Sequence, residues 1–79
     1  MKTYIELNVH NDGDIYLTKM PEPARHKCVL TFDINGDKLR GGLRELRDEV
    51  LSYGANTEVV DRCIVEVLTG GYGEEIIVK

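Results

Sequence analysis

The chain has 79 residues and a formal net charge of −4, which predicts one small domain and argues against binding nucleic acid or an anionic membrane through bulk charge. Charges of both signs are mixed along the chain, which also argues against a dense acidic mimic of DNA. A domain this small buries only about 60% of the surface that its unfolded chain exposes, so a homo-oligomer would gain stability. The sheet face or the edge of the sheet is the simplest surface for such self-association.

The first predicted elements form a β-hairpin. Apolar and polar residues alternate from Thr3 to Val9, and a second strand is expected from Ile15 to about Met20. A two-residue turn would mix apolar and polar side chains on each face, so the pattern favours a three-residue loop at 11–13 with Gly13 left-handed. That loop predicts these cross-strand pairs: Val9 with Ile15, Leu7 with Leu17, Asn8 with Tyr16, and Glu6 with Thr18.

A third strand is predicted from about Lys27 to Ile34, after Pro21 and Pro23 interrupt the pairing. The three successive strands suggest an antiparallel meander. A helix is expected next, over residues 37–54, because its apolar residues recur at spacings of four and three.

The predicted first helix has recognisable ends. Asp37 is placed to cap its start, and Gly54 to end it. The pair Gly41 and Gly42 is costly in the first turns of a helix, so it indicates either a frayed start or a close backbone contact.

The second helix is predicted to follow Asn56 or Thr57, one of which would cap it. Its apolar residues follow a helical pattern from Val59 to Leu68, although the β-branched residues leave a strand over 62–68 as an alternative. The glycine-rich segment 70–73 predicts a turn, and residues 74–79 predict a last strand.

The order βββααβ predicts an α+β fold: one domain over residues 1–79, with an antiparallel sheet and two helices packed on one face. The expected core contains the inward-facing apolar residues of these elements: Ile5, Leu7, Val9, Ile15, Leu17, Cys28, Leu30, Phe32, Leu43, Leu46, Val50, Ile64 and Val67.

Two cysteines and two histidines lack the spacing of a zinc site. Cys28 and Cys63 are expected to be buried, reduced thiols. The sequence shows no signal peptide and no apolar run of the roughly 18 residues that a membrane span needs. These features favour a cytoplasmic protein that does not associate with a membrane.

The sequence has no complete catalytic or metal-binding motif, so no catalytic residue, no metal and no cofactor is expected. The segment 33–37 begins like a calcium loop, but Lys38 and Arg44 occupy the positions that require glycine and glutamate, so a turn and a helix cap are favoured. His26 and Cys28 could form a nucleophile pair, which keeps a small oligomeric enzyme as an alternative.

Two surfaces are candidates for binding a partner. Arg40, Arg44 and Arg47 lie at spacings that place them on one side of the first helix, where guanidinium groups suit carboxylates or phosphates. The alternative is a solvated helix flank. The outer face of the sheet has an interface-like composition, and its alternative is the ordinary scatter of apolar atoms on a surface. Its expected members are Tyr4, Asn8, Tyr16, Thr18, Met20 and Val29.

These observations favour a non-catalytic protein-binding module that occupies the surface of a protein partner. In its size, acidity and α+β build, the chain is similar to the small inhibitors of host defence systems that phages and mobile elements encode, anti-CRISPR proteins included. That resemblance implies that the chain inhibits a protein partner by occupying its surface. The alternative is a nucleic-acid or anionic-ligand binder that uses Arg40, Arg44 and Arg47.

Overall fold

The computed structural model describes residues 3–23, 30–34 and 42–79. Their order, βββααβ, confirms the predicted fold class. The elements are β1 (Tyr4–Val9), β2 (Ile15–Met20), β3 (Leu30–Asp33), α1 (Gly42–Ser52), α2 (Thr57–Thr69) and β4 (Glu75–Ile77). Several predictions fall outside the described residues: Asp37 as a cap, Gly41, the His26 and Cys28 pair, Val29 on the outer face, and Arg40.

The β1–β2 hairpin has the predicted three-residue loop and register. The His10 N–H donates to the Asp14 carbonyl at 2.8 Å, and the Gly13 N–H donates to the His10 carbonyl at 2.9 Å. Gly13 has φ +92°, a left-handed conformation that suits a residue without Cβ. The register pairs Val9 with Ile15, Leu7 with Leu17, Asn8 with Tyr16, and Glu6 with Thr18. The hydrophobic pattern was therefore sufficient to select the loop.

The sheet has the strand order β3-β1-β2-β4, with every neighbouring pair antiparallel. The predicted meander is wrong, because β3 pairs with β1 rather than with β2. Phe32 lies opposite Ile5, while the far edge of β2 is occupied by β4, with Leu17 opposite Ile76. Alternation tells which face of a strand is buried, but not which neighbour lies at each edge.

The burial of α1 differs from the predicted pattern. Gly42, Leu46 and Val50 are buried at intervals of four residues, whereas Leu43 is 42% exposed and Tyr53 is 48% exposed. Gly42 is buried against β3: a Cβ at this position would overlap the Asp33 carbonyl oxygen and lie 2.8 Å from its carbon. Because the helix approaches the strand through this glycine, Leu43 turns toward solvent. The predicted close backbone contact is confirmed at Gly42.

Gly54 ends the first helix and Asn56 caps the start of the second. Gly54 ends α1 as predicted, and its N–H donates to the Leu51 carbonyl at 2.9 Å. Asn56 caps α2, since its Oδ1 accepts hydrogen bonds from the N–H groups of Glu58 at 2.9 Å and Val59 at 3.4 Å. Residues 62–68 lie within α2, so the helix prediction is confirmed and the strand alternative is wrong.

The core lies between the sheet and the two helices. Its buried apolar residues are Ile5, Leu7, Ile15, Leu17, Phe32, Leu46, Val50, Val60, Cys63, Ile64 and Val67. The predictions for Val9, Leu30 and Leu43 are wrong, since each keeps 37–42% of its surface exposed. Val9 and Leu30 lie toward the hairpin end of the sheet, where the helices leave them uncovered. Cys63 carries a buried free thiol as expected, while Cys28 is outside the described residues.

Candidate binding surface on the outer sheet face

Both helices pack on one side of the sheet: α1 over β3, and α2 over β2 and β4. The opposite side is left without a covering layer from the described elements. Residues directly opposite each other in an antiparallel pair share a face, so the registers assign its members. They are Tyr4, Glu6, Asn8, Tyr16, Thr18, Met20, Thr31, Asp33, Glu75 and Ile77. We call this set the outer face.

Each end of the outer face places a tyrosine beside an apolar side chain on one neighbouring strand and a polar one on the other, which is Asp33 beside Tyr4 and Asn8 beside Tyr16. Tyr4 lies opposite Met20 at one end, and both are half-buried. At the other end Tyr16 lies opposite Ile77 of β4. The His10 ring packs on the Tyr16 ring with centroids 4.4 Å apart and an angle of 43° between their planes. The structure therefore brings together the three outer-face residues predicted to bind a partner, Tyr4, Tyr16 and Met20, on one continuous surface.

A polar row crosses the sheet between these two ends. In the order of the strands it consists of Thr31, Glu6, Thr18 and Glu75. Neighbouring strands are spaced by about 4.8 Å, so Glu6 and Glu75 lie roughly 10 Å apart with Thr18 between them.

The outer face has acidic residues without basic ones. Asp33 adds a third carboxylate to Glu6 and Glu75, and none of the ten outer-face residues named above is a lysine or arginine. Lys79 lies beyond the end of β4, where its Nζ is 3.8 Å from Asp14 Oδ1. The outer face is therefore a negatively charged surface with aromatic ends.

Lys19 is the basic residue of β2, and it lies on the helical side of the sheet. Its Nζ donates to the Leu68 carbonyl at 3.1 Å and lies 4.7 Å from the centroid of the Tyr72 ring. The last turn of α2 contains no basic residue of its own. The C-terminal end of a helix attracts positive charge. Lys19 of β2 therefore provides a stabilising cation at the C-terminal end of α2.

Replacing Lys19 with methionine is expected to lower the free energy of unfolding by about 1–3 kcal/mol, since a charged hydrogen bond and a helix-end interaction are lost while the aliphatic stem is kept. Lys79→Met is the control, because this lysine is 68% exposed and its ion pair is loose. Chemical denaturation of both variants measures the difference, and equal midpoints would contradict the role of Lys19.

The structure does not show the three predicted arginines together as one surface that is free to bind a partner. Arg40 lies outside the described residues, and Arg44 is exposed on α1 without an ion-pair partner among the described residues. Arg47 Nε donates to Asp61 Oδ1 at 2.7 Å. The hydrogen bond and the charge of Asp61 raise the pKa of the Arg47 guanidinium above its usual value. Arg47 therefore joins α1 to α2, and Arg44 is left as the exposed arginine of this flank.

A shallow groove lies on the other flank of α1. It has a volume of about 440 Å³ and is lined by Phe32, Glu45, Asp48, Glu49 and Ser52.

Within the part of the chain that the structure describes, no three histidine, cysteine, aspartate or glutamate side chains are grouped to bind a metal. None of the described helices is long and apolar enough to cross a membrane.

Five of the ten outer-face residues were not among its expected members: Glu6, Thr31, Asp33, Glu75 and Ile77. Alternation does place Glu6 beside Tyr4 on one side of β1, so that signal was present in the sequence. No pattern within β2 or β4 indicates that these two strands pair.

Comparison with protein-family models, with curated proteins and with solved structures finds no match to this chain.

Proposed function

We propose that this chain is a non-catalytic protein-binding module that uses the outer face to occupy the surface of another protein. The observation that carries the proposal is a sheet whose two helices cover one side only, while the bare side presents Tyr4, Tyr16, Met20 and Ile77. Tyrosine and methionine are enriched in protein interfaces, where they bury large areas with few rotatable bonds.

The proposed mode of action is inhibition by occupation. A rigid four-stranded sheet gives a partner a preformed surface, so little conformational entropy is lost on binding. This is the way a small inhibitor of a host defence system, encoded by a phage or a mobile element, would act. The buried free thiol of Cys63 suits a reducing cytoplasm, which we propose as the site of action.

The test compares two tyrosines on opposite sides of the molecule. Tyr16 lies on the outer face, while Tyr53 follows α1 and is 48% exposed. Immobilised wild-type protein, Tyr16→Ala and Tyr53→Ala are incubated with a lysate of the source cells, and the retained proteins are identified. We expect a protein that the wild type and Tyr53→Ala retain and that Tyr16→Ala binds about tenfold more weakly or not at all.

Circular dichroism and thermal melting establish that both variants are folded. A cross-strand aromatic contact contributes about 0.2–1 kcal/mol, so Tyr16→Ala should leave the fold intact. Retention of the same proteins by both variants would refute the use of the outer face. A third variant, Arg44→Glu, tests the arginine flank of α1. If Arg44→Glu alone lost the retained protein, the binding site would lie on that flank and the anionic-ligand alternative would be favoured.

A further inference from the structure

We infer that the partner presents a basic segment to the outer face, with a lysine or arginine side chain seated over Thr18 between Glu6 and Glu75. This inference rests on the proposed function, and it names the chemistry of the partner. The outer face carries Glu6 and Glu75 on either side of Thr18 in a chain whose net charge is −4, and none of the ten residues that define this face is basic.

The geometry of the polar row suits one cationic side chain. Glu6 and Glu75 flank Thr18 on the two neighbouring strands, each roughly 5 Å away across the sheet. A guanidinium or ammonium group above Thr18 is therefore within reach of both carboxylates, and its hydrogen bonds to them would be charge-assisted. The Thr18 hydroxyl supplies a third acceptor beneath it.

The apolar residues beside the row would hold the stem of that side chain. Tyr16 and Met20 lie two residues on either side of Thr18 along β2, on the same face and roughly 7 Å away. Long basic side chains bury their methylene groups on such surfaces while the charged head stays with its polar partners. Charge and packing therefore select the same kind of ligand.

The same charges disfavour two other occupants. A second copy packed face to face would bring Glu6 and Glu75 against their equivalents, and none of the ten outer-face residues is basic. A phosphate backbone would meet the same repulsion. A homo-oligomer formed through the outer face is therefore not the arrangement that these charges favour.

The test uses a library of random peptides displayed on phage and selected on the immobilised wild-type protein. Selected peptides are then measured against Glu6→Gln/Glu75→Gln, which removes the two charges and keeps the side-chain shape. The matched control is Glu45→Gln/Glu66→Gln, which removes two exposed carboxylates from the helices. We expect peptides rich in lysine and arginine, whose affinity falls about tenfold or more on the first variant and is unchanged on the control.

The outcomes separate this inference from the proposed function. Peptides that require Tyr16, tolerate Tyr53→Ala, contain no excess of basic residues and ignore Glu6→Gln/Glu75→Gln would overturn the basic segment while leaving the outer face as the binding surface. Peptides that ignore Tyr16→Ala as well would overturn both. Selection of acidic peptides that are lost on Arg44→Glu would also overturn the inference.

Discussion

Leu46→Ala is expected to lower the free energy of unfolding by about 2–5 kcal/mol, the usual range for a fully buried leucine. Leu46 has no exposed surface and lies in the middle of the buried side of α1, between Gly42 and Val50. Each kcal/mol shifts the melting temperature of a domain this size by roughly 4–8 °C, so the variant should melt well below the wild type.

Leu43→Ala is the matched control, since it makes the same substitution in the same helix at a residue that is 42% exposed. Its expected loss is well under half of that at Leu46, because less apolar surface returns to water. Thermal melts and urea titrations of both variants measure the contrast. Equal losses would mean that α1 is rotated from the orientation described above and that the original prediction of a buried Leu43 is correct.

Gly42→Ala is expected to destabilise the fold by about 1–3 kcal/mol, the range for overpacking a filled interior. Helix propensity alone predicts the opposite sign, since alanine is favoured over glycine by about 1 kcal/mol within a helix. The steric term wins because the new Cβ would overlap the Asp33 carbonyl oxygen and lie 3.0 Å from the Asp33 nitrogen. Backbone atoms of a paired strand cannot move away without breaking the pairing of β3.

Gly71→Ala is the control for that substitution. A Cβ on Gly71 would make ordinary contacts with the flexible Glu74 side chain, the nearest at 3.5 Å. Its expected effect lies within about 0.5 kcal/mol of zero, as for other surface changes. Urea denaturation decides the sign, and a Gly42→Ala variant that is more stable than the wild type would show that α1 does not rest on β3.

The parts of the fold that sequence predicted depend on short-range patterns. The hairpin register followed from alternation alone, because a slip by one residue would have moved Ile5 and Leu7 to the solvent face. Asn56 and Gly54 marked helix ends through hydrogen-bonding and backbone preferences that act within a few residues.

The parts that sequence missed depend on contacts between elements. β3 joins β1 and not β2, and the alternation within a single strand does not encode that choice because it fixes only which face is buried. The burial of Gly42 instead of Leu43 follows from the close approach of α1 to Asp33. The glycine pair indicated either a frayed helix start or a close backbone contact, and the partner of that contact could not be named without the tertiary structure.

The proposed binding surface was also predictable in part from short-range patterns, while the rest of it depends on contacts between elements. Alternation was enough to place Tyr4, Tyr16 and Met20 together on the outer face. Their acidic surroundings depend on strand order, which sets Glu75 beside Thr18. Spacing along the predicted first helix placed Arg44 and Arg47 on one flank, but it could not show that Arg47 pairs with Asp61 of the next helix.

Methyl resonances test the central claim most directly, because the two sides of the molecule carry separate reporters. Met20, Thr18 and Ile77 report on the outer face, while Leu43 and Val65 are exposed on the helices. A peptide selected on the wild-type protein is titrated into it and the methyl shifts are followed. We predict shifts at Met20, Thr18 and Ile77 with Leu43 and Val65 unchanged; shifts confined to Leu43 and Val65 would contradict the assignment of the outer face as the binding surface.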